Sequence, residues 1–221
     1  QRFGSLERFA HWMTAVSFIL LALSGLNLTF GKRLVLPIIG PDAFTSLTLL
    51  GKYVHNYVSF AFALGVLMMF LLWVKDNIPM PRDITWFKQG GGLVGTNHPA
   101  AGRFNGGQKL IFWSVVLGGL GLSITGYNLM FPFQYTASVA DMQWMGVVHG
   151  LIAVIMTAII IAHIYIGSVG MEGAFDAMGT GKVDVNWARE HHSLWVDKVA
   201  TTNPDAITGP GPGHRRPQPA E

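Results

Sequence analysis

Eight histidines and no cysteine set what this chain of 221 residues can do with a metal. Two of the histidines, His149 and His163, lie fourteen residues apart in the apolar run MGVVHGLIAVIMTAIIIAHIYIGSVG, long enough to cross a bilayer as one helix. Fourteen helical residues advance about 21 Å and turn through just under four turns, so both rings leave one face at two depths. Such a pair can hold two metal centres, one toward each leaflet. The absence of cysteine excludes thiolate haem ligation, covalent c-type haem attachment and iron–sulfur clusters in their usual forms, which leaves histidine, methionine or oxygen as ligands.

Histidines at membrane depth need helices to carry them. Half of the chain is hydrophobic and 12% is charged, and the apolar residues gather in long blocks rather than spreading along the chain. The pattern predicts an all-α, integral membrane four-helix bundle over residues 1–170, with spans at about 11–30, 53–75, 108–131 and 142–170. The first block is too long for a signal-peptide core, lacks a small-residue cleavage pattern and carries His11, so it reads as a retained span. Residues 31–52, with two prolines, read as a segment lying at the interface or against a partner. Residues 171–221 form a C-terminal tail ending in GPGPGHRRPQPAE, whose composition cannot fold alone and is expected to dock on a partner subunit.

Four crossings put both termini on one side. That side, with the loop 75–109, holds twelve basic residues: Arg2, Arg8, Lys75, Arg82, Lys88, Arg103, Lys109, Lys182, Arg189, Lys198, Arg215 and Arg216. The other side holds three, Lys32, Arg33 and Lys52. The positive-inside rule then places both termini in the cytoplasm. The pI near 9.3 follows from this asymmetry beside anionic headgroups and does not point to nucleic acid.

With topology fixed, each histidine acquires a depth. His55 pairs in height with His149 near the outer face, and His11 with His163 near the inner face. Each pair can offer two axial nitrogens to the iron of one b-type haem. Any one of these histidines could instead be a helix-to-helix hydrogen-bonding residue, and His11 and His55 lie close enough to the interfaces to be merely wet. Gly25, Gly65, Gly118, Gly119, Gly121 and Gly126 would admit a flat macrocycle or, equally, close helix packing.

Just before the third span runs Gly102-Arg103-Phe104-Asn105-Gly106-Gly107-Gln108-Lys109. Polar donors beside glycines make a small hydrogen-bonding pocket that suits a quinone carbonyl, but the same residues read as a glycine-rich loop with an N-capping asparagine. His98, His191 and His192, on the soluble side, read as interface residues.

These residues together resemble the cytochrome b (gamma) subunit of respiratory, membrane-bound formate dehydrogenases. The match runs from Arg2 through Trp195 and rests on the opening Arg2-Phe3 with Arg8-Phe9-Ala10-His11-Trp12, on Asn105-Gly106-Gly107-Gln108-Lys109, and on the His149/His163 spacing. The resemblance implies two haems b, with His55 and His149 on the outer iron and His11 and His163 on the inner. It implies a quinone pocket in which Asn105, Gly107 and His163 face the head group, with Gln108 in the same turn. It further implies a bacterial inner membrane, an iron–sulfur beta subunit, a catalytic alpha subunit with a molybdenum or tungsten pterin, and a possible higher oligomer. Formate oxidation itself would belong to that alpha subunit. The expectation is therefore electron transfer from the partner's clusters through two haems to a quinone at the cytoplasmic side. Two rivals stand beside it: the same scaffold serving a hydrogenase or another molybdoenzyme, and a haem-free membrane anchor using its histidines as proton relays.

Overall fold

Three of the four long helices begin where a side chain closes a free N–H group, and the other begins at a proline. The computed structural model describes residues 1–92, 99–132, 134 and 138–207; His98 and the Gly/Pro-rich end, with its expected docking on a partner, lie outside them. In chain order the helices are α1 (Ser5–Leu34), α2 (Leu36–Ile39), α3 (Pro41–Trp73), α4 (Pro81–Lys88), α5 (Gly106–Met130), α6 (Val139–Tyr165), α7 (Asp176–Gly179), α8 (Val185–His191) and α9 (Ser193–Thr202). The first turn of α1 is closed by Glu7, whose Oε2 accepts the Gly4 N–H at 2.8 Å. Asn105 and Gln108 close α5 reciprocally, and Ser138 with Asp141 does the same for α6. Among the described residues there is no strand.

Four helices, α1, α3, α5 and α6, are long and apolar enough to cross a membrane. Their outward faces carry exposed Leu23, Leu64, Leu117, Leu151 and Ile161, an apolar surface that water would not support. The chain is a multi-pass, all-α membrane protein, as the hydropathy blocks predict.

The helices run past those blocks. α3 starts at Pro41, so residues 41–52 of the segment expected at the interface or against a partner are the first three turns of the helix that carries the second apolar block. The prolines misled because both occupy first-turn positions: Pro37 opens α2 and Pro41 opens α3, where a missing N–H costs nothing and a fixed φ favours the helix. Gly40, between them, turns the chain with φ of +81°.

Packing is pairwise. α1 lies chiefly along α3 and α5 along α6, while α3 against α5 joins the pairs. Phe18, Phe62, Val66, Met69, Phe112, Val115, Val116 and Met156 form the shared core. Glycines set the spacing: a Cβ on Gly65 would run into Thr14, one on Gly118 into Met156, and one on Gly119 into Val66. α6 stands off from α1 and α3, packing closely on neither.

One end of the bundle gathers residues 1–4, 74–83, 99–109 and 171–207. Arg2 and Arg8 reach the Gly181 and Gly179 carbonyls with backbone and side chain respectively, so the N-terminal residues and the segment after α6 meet there, as four crossings require. We term it the basic end. Phe3, Trp73 and Phe104 form a triad with ring centres 5.6–5.7 Å apart. Around it Glu7 Oε1 accepts from Trp73 Nε1 at 2.7 Å and from Arg103 Nη2 at 2.7 Å, while Arg103 Nη1 reaches Asp76 at 2.9 Å. Hydrogen bonds of this charged kind contribute about 1.5–3 kcal/mol each, enough to hold three chain segments in register.

Candidate metal centres

The four membrane histidines come together as two couples carried by three helices. His55 on α3 faces His149 on α6 with ring centres 6.2 Å apart, and His11 on α1 faces His163 on α6 at 6.3 Å. The interplanar angles, 66° and 64°, are nearly the same. Both couples bridge the gap by which α6 stands off from its neighbours.

These separations discriminate between two uses of a histidine couple. A direct N–H···N hydrogen bond of about 2.9 Å would bring the ring centres to about 5.2 Å or closer. Two imidazoles bound trans to one metal, with bonds of about 2.0 Å, put them about 6.3 Å apart. Both couples sit at the second value. Among the described residues no group of three or more histidine, aspartate or glutamate side chains could hold a metal by itself. Two ligands per level suit a metal whose remaining ligands come with it, as an iron porphyrin's do.

Around His55 and His149 the local chemistry is repeated. Ser24 Oγ lies 2.9 Å from His55 Nδ1 and spends its own proton on the Leu20 carbonyl at 2.7 Å. Thr125 Oγ1 lies 2.9 Å from His149 Nδ1 and donates to the Gly121 carbonyl at 2.7 Å. A hydroxyl has one proton, so with that proton on the helix carbonyl Nδ1–H is the donor and Nε2 carries the lone pair. The next residue along is glycine each time: a Cβ on Gly25 would stand 3.2 Å from His55 Cε1, and one on Gly126 would stand 3.2 Å from His149 Cε1. At the other level His11 Nδ1 is buried with no hydrogen-bond partner among the described residues.

The polar turn before α5 is used differently. Asn105 Oδ1 accepts from Gln108 N at 2.9 Å, and Gln108 Oε1 accepts from Asn105 N at 3.1 Å, the reciprocal cap that was one reading of this stretch. The Asn105 amide nitrogen and the Gly107 N–H make no hydrogen bond among the described residues, and both belong to a helix start, which favours an acceptor. No hydrogen bond joins this turn to His163 among the described residues.

His192, read from the sequence as an interface residue, packs inside this chain's own basic end. It is 1% exposed, its Nδ1 donates to the Gly102 carbonyl at 2.8 Å, and its ring lies 5.6 Å from that of Trp187. Burial, with the positive charge of Arg2 beside it, pushes its pKa down to about 3, so it is neutral at physiological pH. Arg2 is buried over the faces of Phe3, Trp187 and Trp195. Burial first, then Arg103, lowers its pKa to about 9, which still leaves it charged.

Residues 2–181 match the model of a protein family described as prokaryotic cytochrome b561. The chain belongs to that family. The cytochrome is also 30% identical over 200 residues, 88% of each chain, to the nitrate-inducible formate dehydrogenase cytochrome b556(Fdn) subunit of Escherichia coli K12. It is 29% identical over 204 residues to the formate dehydrogenase cytochrome b556(fdo) subunit of the same organism, covering 91% of this chain and 93% of the other. The cytochrome b556 subunit of the Haemophilus influenzae formate dehydrogenase matches at 26% over 200 residues. The resemblance to formate dehydrogenase cytochrome b subunits is thus borne out, and membership of a cytochrome b family brings haem b with it. The sequence reading of this cytochrome overlooked Ser24 and Thr125. Their signal was a hydroxyl residue directly before a glycine, twice, inside otherwise apolar helices.

Proposed function

We propose that this cytochrome is the membrane subunit of a respiratory formate dehydrogenase complex in the bacterial inner membrane, carrying electrons from a partner iron–sulfur subunit to a quinone on the cytoplasmic side. His55 with His149 and His11 with His163 would each hold one haem b, which supplies one-electron chemistry when bound. The observation that carries the reading is the pair of ring separations, 6.2 and 6.3 Å, each sized for one metal atom. The basic end faces the cytoplasm, because ten basic residues on that side among the described residues outweigh Lys32, Arg33 and Lys52 opposite.

The polypeptide's own part is binding, orientation and exclusion of water. Apolar α6 keeps both couples dry, and Gly25 and Gly126 leave room beside the His55 and His149 rings. At the basic end the Asn105 amide and the Gly107 N–H offer donors to a quinone carbonyl, with Gln108 fixing the turn. Protons for quinol formation enter from the cytoplasm there, so charge separation across the membrane accompanies each turnover. An iron–sulfur beta subunit and a molybdenum or tungsten pterin alpha subunit complete the complex, while residues 171–207 are held on this chain's own basic end.

In the purified complex, His163→Ala should abolish quinone reduction while formate oxidation with an artificial acceptor persists. Undiminished quinone reduction in that variant would remove His163 from the path.

A further inference from the structure

The His55/His149 level differs from its counterpart in what stands behind its rings. Ser24-Gly25 on α1 and Thr125-Gly126 on α5 present the same arrangement to rings on α3 and α6. Each hydroxyl oxygen is 2.9 Å from Nδ1, each hydroxyl proton is spent on its own helix at 2.7 Å, and each glycine would place a Cβ 3.2 Å from Cε1. Two unrelated pairs of helices have built one cradle twice.

An Nδ1–H that donates to an oxygen pushes electron density toward Nε2 and makes that nitrogen a stronger donor to a metal. A stronger donor favours the higher oxidation state. We propose that Ser24 and Thr125 are positioning residues that lock His55 and His149 in the Nδ1–H form and hold that level at the lower reduction potential of the two. The proposal rests on the two couples being haem ligands. At the other level His11 Nδ1 is buried without a partner among the described residues, so its ring is the weaker donor and its level the easier to reduce. One electron placed at the His55/His149 level then passes to the His11/His163 level with equilibrium in its favour, and no proton need move with it.

The test is an equilibrium redox titration of the purified complex, followed by visible absorbance, on Ser24→Ala and Thr125→Ala with Ser24→Thr and Thr125→Ser as restoring variants. Haem content is measured alongside. Each alanine variant should raise one of the two midpoint potentials, changing the one-electron equilibrium between levels about tenfold, which is about 59 mV. The other potential should stay, and the restoring variants should match the parent. Loss of one haem in an alanine variant, recovered in the restoring variant, would equally show that the hydroxyl is required. Full haem content with both potentials unmoved would overturn the proposal, as would haem loss that the restoring variants do not repair. A parent complex without haem would instead overturn the reading beneath it.

Discussion

The two histidine couples are alike in the distance between rings and unlike in what stands behind the rings. At 6.2 and 6.3 Å the separations are interchangeable. Yet His55 and His149 each lean on a hydroxyl and a glycine, while His11 has a buried Nδ1 with no partner among the described residues. The contrast separates two tasks. Helix packing sets how far apart the couples stand, since α6 carries one member of each and is positioned by α5 as a unit. Side chains one layer out set what electronic character each couple has, and these can differ although the scaffold does not.

The comparison breaks most severely if a ligand goes. Alanine at His149 should remove the haem of its own level and leave the other, and alanine at His11 should do the converse, halving haem content each time; loss of both haems from either variant would show that the levels are not independent. A smaller effect belongs to the cradle. Gly126→Val forces a branched side chain toward His149 Cε1 and should lower haem occupancy at that level by tenfold or more, within the 10–100-fold range for outer-shell changes at metal sites. The same change at Gly119, which faces Val66, should loosen packing without choosing between levels. Smaller again is the shift in one potential expected for Ser24→Ala and Thr125→Ala.

The least effect on either haem should come from the basic end. His192 is buried neutral with a pKa of about 3 against 6.5 when free. The unfolded segment therefore binds a proton that the docked one does not, so docking is full above about pH 6.5 and weakens as pH falls toward 3. Hydrogen exchange of the amides in α8 and α9 should speed up across that window. His192→Asn should flatten the dependence with the haem spectrum unchanged, and an unaltered profile in that variant would assign the dependence to another group.

What the sequence made legible was whatever is periodic. Long apolar runs announced four helices, and a spacing of fourteen on one of them announced two depths for His149 and His163. The helix at 41–52 was hidden because Pro37 and Pro41 signal a break and a beginning alike, and only the backbone tells which. Asn105 and Gln108 were legible as polar groups, but their reciprocal cap is a matter of rotamers. Ser24 and Thr125 lie 31 and 24 residues from the histidines they meet, and the burial of His192 depends on Gly102, 90 residues away. Contacts of that range follow from how helices pair, which no local pattern states.

The central claim is that each couple holds one iron porphyrin. A pyridine haemochrome assay on the detergent-purified complex, normalised to the amount of this polypeptide, tests it most directly. The account predicts two haems b per chain, falling to one in His149→Ala and in His163→Ala. One haem in the parent, or none, or two retained in either variant, would contradict it.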